Sequence, residues 1–396
     1  MEPAASPSAK FTEPPKLLET MVRRESYLDW NATAPLRPEA AAAVTAALRD
    51  CGNASSVHRW GRAARQRVEN AREAVAVLIG ADPEGVIFVS GGTEANQLAL
   101  LGSGRERVLI SAVEHGSVLQ AVQHAERIPV SADGIVELGQ LEELLASDPH
   151  SALVSVMLAN NETGAIQPVA EVAAIAHRYG ALFHCDAVQA AGKIPVDVAT
   201  IGADLISLSA HKLGGPPGIG ALIICGTIEV APIIRGGGQE RGRRAGSENL
   251  PGIAGFAAAA DAARHGLADY ERVRGLRNGI ESAVLATAPE AIVIGGAAPR
   301  LPNTSAIALP GISAETQVIA LDLDGVMVSA GAACSSGKVG PSHVLQAMGA
   351  APEIAGSTIR VSLGWSTTEA EIEHFLEAWT AMYRRVKPHA VAARAA

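Results

Sequence analysis

Lys212 closes an apolar run, Leu205-Ile206-Ser207-Leu208-Ser209-Ala210-His211-Lys212, that breaks at once into Leu213-Gly214-Gly215-Pro216-Pro217-Gly218. Lysine is among the residues least often buried. Delivering one where a core strand meets a tight loop makes sense when its amine is used as a nucleophile. A plain surface lysine in a loop is the competing reading, and three further segments bear on it.

Ser90-Gly91-Gly92-Thr93-Glu94-Ala95-Asn96 follows the apolar run Val86–Val89 and opens a helix. Paired glycines allow close backbone approach, and helix-N-terminal amides with the Thr93 hydroxyl suit a phosphate, although a simple helix cap reads equally well. Phe183-His184-Cys185-Asp186-Ala187-Val188-Gln189 ends another apolar run with a carboxylate. Such a carboxylate needs a partner, and a protonated pyridine nitrogen is one. A helix-capping Asp is the alternative. Gln189, three residues on, reaches the same side if the chain turns helical. Val113-Glu114-His115-Gly116-Ser117 places a histidine after the run Val108–Ala112, where it could stack on an aromatic ring and shuttle protons. Ser209 and His211 precede the lysine and could join Thr93 around a phosphate. Asp186 and Lys212 on successive strands, with a phosphate-type loop and a histidine on two others, read together as a pyridoxal-phosphate site.

These side chains need a scaffold that brings strand ends together. Val108–Ala112, Ala152–Ala159, Ala181–Ala187, Leu205–Ala210 and Gly220–Cys225 read as buried strands. Helices alternate with them, at Glu171–Tyr179, ended by Gly180, and at Arg62–Ile79, where Val68, Ala71, Val75 and Leu78 recur at spacings of three and four. Alternation of this kind predicts an α/β fold with a mostly parallel sheet covered on both faces, and ligands bind such sheets at the carboxyl ends of the strands. After about residue 265 the pattern changes to short strands at Thr304–Leu309, Val326–Ser329 and Ile359–Leu363, with helices at Ala314–Leu323 and Thr367–Val386. The expected organisation is a mobile extension over 1–20, a large cofactor-binding domain over 21–265, a smaller α+β domain over 266–387 and a mobile tail over 388–396. The segment near Tyr27 is expected to complete the smaller domain.

Composition narrows the function classes. A net charge of −9 argues against a general nucleic-acid surface. The run Arg235, Arg241, Arg243 and Arg244 remains a local basic patch, either a solvated loop or part of an interface. No apolar run approaches a membrane span. Cys51, Cys185, Cys225 and Cys334 are scattered without a CxxC pair. That disfavours a metal site or disulfide framework and fits a reducing cytoplasm.

The chain closely resembles the cysteine desulfurases of the class V aminotransferase superfamily, pyridoxal-phosphate enzymes of fold type I, in their short-loop branch. The resemblance runs in order from Tyr27-Leu28-Asp29 and Gly52-Asn53-Ala54-Ser55-Ser56-Val57-His58 through Gly91–Asn96 and Asn160-Asn161-Glu162-Thr163-Gly164. It continues through His184–Gln189, Ser209–Lys212, Gly236-Gly237-Gly238-Gln239-Glu240 and Gly246-Ser247-Glu248-Asn249 to Gly331-Ala332-Ala333-Cys334-Ser335-Ser336 and Ile359–Gly364. It implies a cofactor Schiff base on Lys212, Asp186 at the pyridine nitrogen, Gln189 at the ring hydroxyl and His115 as stacking acid–base. It also implies a phosphate held by Thr93, Ser209 and His211. Ser247, where the family has threonine, would complete that phosphate site from the second subunit of a homodimer. Asn160 and Arg360 would engage the substrate, Arg360 through a bidentate grip on its carboxylate.

Cys334, in a small-residue loop, would be the nucleophile that takes sulfur from L-cysteine. The implied reaction leaves L-alanine and a persulfide, which passes to a sulfur acceptor such as an iron–sulfur scaffold or a tRNA-thiolation protein. Ala332 replaces the family's serine beside it, a change that could tune the loop or the thiol. A selenocysteine lyase or related β-lyase is the neighbouring alternative, less dependent on such a cysteine. A scaffold that binds the cofactor without turnover is disfavoured by the intact set of His115, Asp186, Lys212 and Cys334.

Overall fold

The computed structural model describes residues 24–148, 150–331 and 342–394, with side chains up to Lys387. The proposed extension over 1–20 and Cys334 lie outside the described residues. The chain opens with a two-residue strand β1 (Ser26–Tyr27) and a helix Pro38–Leu48. The long helix Arg59–Ile79 follows, three residues longer at its start than the apolar spacing suggested, because the His58 side chain accepts from Gly61 N–H and caps it. Gly80 ends it in the left-handed conformation.

Seven strands then form the large sheet: β2 (Val86–Val89), β3 (Arg107–Ser111), β4 (Glu126–Ile128), β5 (Ala152–Ser155), β6 (Leu182–Asp186), β7 (Leu205–Ser209) and β8 (Gly220–Ile224). Their spatial order is β2-β8-β7-β6-β5-β3-β4. Only β8 runs against its neighbours, pairing antiparallel with both β2 and β7. The other six strands point one way, so their carboxyl ends share one edge of the sheet. Nearly every residue of these strands is buried, as expected when helices cover both faces. Beyond β5 the expected strand stops early. The chain still follows β6, through Val156 N–H to His184 O at 3.1 Å and Leu158 N–H to Asp186 O at 2.9 Å.

Small strands β9 (Ile292–Val293), β10 (Thr304–Ala308), β11 (Val326–Met327), β12 (Ser329–Ala330) and β13 (Thr358–Ser362) build the second unit. Four of them form an antiparallel sheet in the order β12-β13-β10-β9, and β1 pairs parallel with β11. One expected strand, Val326–Ser329, is therefore two, split between two sheets. Tyr270, Val273, Leu321, Phe375 and Trp379 share this unit's core with Leu28, whereas Phe256 and Ala263 belong to the core under the large sheet. The change of core thus falls between helices Leu250–His265 and Asp269–Thr287.

The last helix, Glu369–Arg394, starts at a capping box in which Thr368 Oγ1 accepts from Glu371 N–H and Glu371 accepts from Thr368 N–H. It corrects the expectation of a loose tail from 388: the helix continues to Arg394. Alanine-rich sequence, read as structureless, is also the best helix former. Among the described residues no helix is long and apolar enough to cross a membrane.

Candidate active site

A cavity of about 210 Å³ opens where the strand ends converge. Thr93, His115, Asp186, Gln189, Ser209, His211 and Lys212 all line it, so the four segments singled out by their chemistry meet in one place. The parallel strands explain this directly: each of these residues stands at or just after the carboxyl end of β2, β3, β6 or β7.

Gly92 starts the helix Gly92–Gly102 and packs so tightly that a Cβ there would stand 3.0 Å from Val188 Cγ2 and 3.5 Å from Ser209 Cβ. A larger residue would require the Val188 side chain to give way, so glycine allows the helix N-terminus its close seat beside the strands carrying Asp186 and Ser209. That amide-rich end, beside Thr93, Ser209 and His211, is chemistry suited to a phosphate. Burial pushes the His211 pKa down to about 4, with help from Lys212 and Lys193, so the ring is neutral at pH 7 and Nδ1 lies 3.2 Å from Thr33 Oγ1.

Asp186 is 5% exposed. Its carboxylate accepts from Asn96 Nδ2 at 2.8 Å and from Val188 N–H at 2.9 Å, and no ion pair of Asp186 occurs among the described residues. A buried carboxylate satisfied only by amides on one side and facing a cavity on the other fits a cationic ring nitrogen. Asn96 also donates to Ser117 Oγ at 2.8 Å, and Ser117 Oγ lies 2.8 Å from His115 Nδ1. Ser117 N–H donates to the same Nδ1 at 3.1 Å. Two donors on Nδ1 leave the proton of the neutral ring on Nε2. Burial lowers the His115 pKa, against the pull of Asp186 and with help from Lys212 and His343, which favours that neutral form. The adjoining Glu114 is fully buried and accepts from Met157 N–H at 2.6 Å. Its burial and the nearby Asp186 raise its pKa well above the usual carboxylate value, which favours the neutral acid.

Lys212 sits in the 3₁₀ turn Ala210–Lys212, and Nζ donates to the carbonyls of Asn31 and Ala32, both at 2.7 Å. Gln189 donates to the same Asn31 carbonyl at 3.0 Å. Asn31 is a hub that residue chemistry alone did not mark. Its side chain also donates to Thr304 Oγ1 and accepts from Asn303, tying the cavity to the smaller unit.

Three assigned residues stand elsewhere. The Asn160 side chain is absorbed in its own turn, accepting from the N–H groups of Glu162 and Thr163 and donating to Val113 O; the cavity is lined instead by Asn161. Arg360, on β13, stands one layer behind, donating to Asp29 Oδ1 at 2.6 Å and to Asn161 O at 3.0 Å. Its Nε is buried and has no hydrogen-bond partner among the described residues. Ser247 lies in a separate depression with Ser90, Gly218 and Arg244, outside its own chain's cavity. Asn96 and Ser117 were legible in part, since Asn96 follows Gly92 by one helical turn and Ser117 follows His115 by two residues.

The remaining thiols offer no rival nucleophile in the cavity. Cys185 is buried in β6 and Cys225 half-buried after β8, and burial raises both thiols, Cys225 to about 11. Cys51 is exposed in a surface depression beside Arg59 and Trp60.

Comparison with known proteins agrees with this geometry. The sequence model of the aminotransferase class-V family matches residues 26–375. The chain is 46% identical, over 89% of its length and 94% of the relative's, to a cysteine desulfurase of Cereibacter sphaeroides. It is 39% identical, over 94% of its length and 99% of the relative's, to an IscS-like cysteine desulfurase of Mycobacterium tuberculosis. The crystal structure of a NifS-like protein from Rickettsia africae superimposes with a TM-score of 0.85 at 35% identity, covering 91% of this chain and all of that one. The shared fold, the cavity at the strand ends and the extent of these matches place the chain in the aminotransferase class-V family, among its cysteine desulfurases.

Proposed function

We propose that this protein is a pyridoxal-phosphate-dependent cysteine desulfurase that converts L-cysteine to L-alanine and passes the sulfur, as a persulfide on Cys334, to an acceptor. The observation that carries this reading is the convergence of Lys212, Asp186, His115 and the Gly92 helix terminus on one cavity. When bound, pyridoxal phosphate supplies an electron sink for the substrate's Cα.

The chain's own residues do the rest. Thr93, Ser209, His211 and the helix amides hold the phosphate, with Ser247 of a second copy completing the site in a homodimer. Asp186 keeps the ring nitrogen cationic, and Gln189 donates to the ring oxygen. Lys212 anchors the cofactor and then takes the proton from Cα. His115, neutral and protonated on Nε2, lines the cavity where the ring would sit and would offer it a proton. Asn160 holds the turn that presents Asn161, and Arg360, which donates to Asn161 O from behind, supplies the positive charge that would draw in the substrate carboxylate.

The Cys334 thiolate attacks the substrate sulfur. The new S–S bond forms as the Cβ–S bond breaks, and the electron pair of that bond ends on the amino-acid fragment, which takes up a proton and leaves as alanine. Such a thiol works in a reducing compartment, and we place the protein in the cytoplasm. An iron–sulfur scaffold or a tRNA-thiolation protein is the kind of acceptor that would collect the persulfide.

The test is alanine and sulfide production from L-cysteine, with reductant, by wild type and Cys334→Ala. The expected result is equimolar products from wild type and a loss of at least about a hundredfold in the variant. Undiminished alanine from the variant would move the assignment to a lyase that does not need this thiol. Competition with selenocysteine would then identify the preferred substrate.

A further inference from the structure

A second lysine stands under the cavity floor. Lys193 is 3% exposed and lies four residues after Gln189. Its Nζ donates to Gln189 Oε1 at 2.7 Å and to Asn31 Oδ1 at 3.1 Å. No carboxylate pairs with it among the described residues, although a buried ammonium is costly without one. Burial, with Lys212 and Arg360 nearby, pushes its pKa well below the usual lysine range. What the structure gives this buried amine is two hydrogen bonds, one of them to Gln189.

The bond to Gln189 fixes the orientation of that side chain. A side-chain amide can flip, exchanging its oxygen and nitrogen ends. Here both ends are determined. The backbone carbonyl of Asn31 can only accept, so the end facing it is Nε2, at 3.0 Å. Lys193 grips the other end, Oε1. One N–H of Gln189 is used by Asn31, and the second is left for the cavity that Gln189 lines. With the amide reversed, two carbonyl oxygens would face each other, and Lys193 would lose its acceptor.

We propose that Lys193 is a positioning residue that clamps the Gln189 amide oxygen so that its nitrogen end is presented to the ring oxygen of the cofactor. This rests on the pyridoxal-phosphate reading above. Lys193 acts through Gln189, and its loss should therefore reproduce the loss of the Gln189 amide.

The experiment reconstitutes apoprotein with pyridoxal phosphate and records the cofactor Kd and the visible absorption band for wild type, Lys193→Met, Gln189→Ala and the double variant. Lys193→Met should raise the Kd roughly tenfold, the effect of one hydrogen bond to a buried site. It should move the band in the same direction as Gln189→Ala, and the double variant should be no worse than Gln189→Ala alone. Wild-type behaviour of Lys193→Met, or losses that multiply in the double variant, would overturn the proposal. So would an unmoved band in Gln189→Ala.

Gln189→Glu supplies a check that keeps Lys193 in place. It replaces the nitrogen end by oxygen while giving Lys193 a counter-charge. Its cofactor band should shift as in Gln189→Ala, because the nitrogen end is gone while Lys193 keeps its acceptor; a wild-type band would overturn the clamp. A wild-type protein that forms no visible band would instead remove the cofactor reading itself.

Discussion

Two buried charge clusters in the large domain are built on opposite rules. At the β2 edge, Arg72 and Glu240 meet at 2.9 Å with side chains 4% and 2% exposed, and Glu240 also accepts from Phe88 N–H. Nearby, Arg244 pairs with Glu94 at 2.9 Å. Around the cavity, Asp186 is held by amide N–H groups and Lys193 by amide oxygens. The edge neutralises its own charge. The cavity satisfies its buried polar groups with dipoles and leaves the counter-charge of Asp186 to a ligand. A ligand with a cationic ring nitrogen supplies it. The same physics of desolvation therefore yields a fixed joint in one region and a binding site in the other.

This contrast can be broken by exchanging its consequences. The largest effect is expected at Lys212: Lys212→Ala should lower alanine formation from L-cysteine by ~10³-fold or more, while the apoprotein Tm stays close to wild type. Appreciable turnover in that variant would mean that chemistry does not occur in this cavity. Arg72→Met should do the reverse. Removing one partner of a buried pair costs about 3–5 kcal/mol, to be read by urea denaturation, with turnover per folded molecule retained. A stability change under 1 kcal/mol would show that the edge is not the joint described.

A smaller effect sharpens the comparison, because His184 is a third case: a buried group that stays uncharged. It bridges Ser155 and Ser207, both at 2.9 Å, across β5, β6 and β7. Burial pushes its pKa down from 6.5 to about 3. Between those values the unfolded chain binds the proton and the folded one does not. Stability is therefore full above pH 6.5 and falls as the pH drops toward about 3, at roughly 1.4 kcal/mol per pH unit. His184→Asn should be less stable at pH 7 yet show a shallower acid limb in denaturation curves at pH 4 to 7. An equally steep limb in the variant would refute the neutral bridge.

Much of this was legible in the sequence. β2 and the helix Ala314–Leu323 fall on the residues their patterns indicated. Strands β3, β6, β7 and β8 differ from expectation by a residue at one or both ends. Apolar runs closed by polar residues also identified seven of the cavity's lining residues. The reversed direction of β8 was not legible, since a strand buried on both faces carries the same apolar run whichever way it points. Nor was the placement of Asn160, whose side chain turns to its own backbone while Asn161 takes the cavity. Asparagine competes readily for local backbone hydrogen bonds, and spacing alone cannot say which of two neighbours does so.

The sequence by itself determined the inventory of this protein: which segments are strands, which groups end them, and therefore which chemistry is available. Those are local properties, written in side-chain type and period. The tertiary structure alone decided the hydrogen-bond partners that orient that chemistry. Asn31, 181 residues before Lys212, supplies the carbonyl that holds its amine, and also the acceptors for Gln189 and Lys193. Contacts of that range follow from how the strands stack and how the smaller unit closes against the sheet, and no local pattern records them.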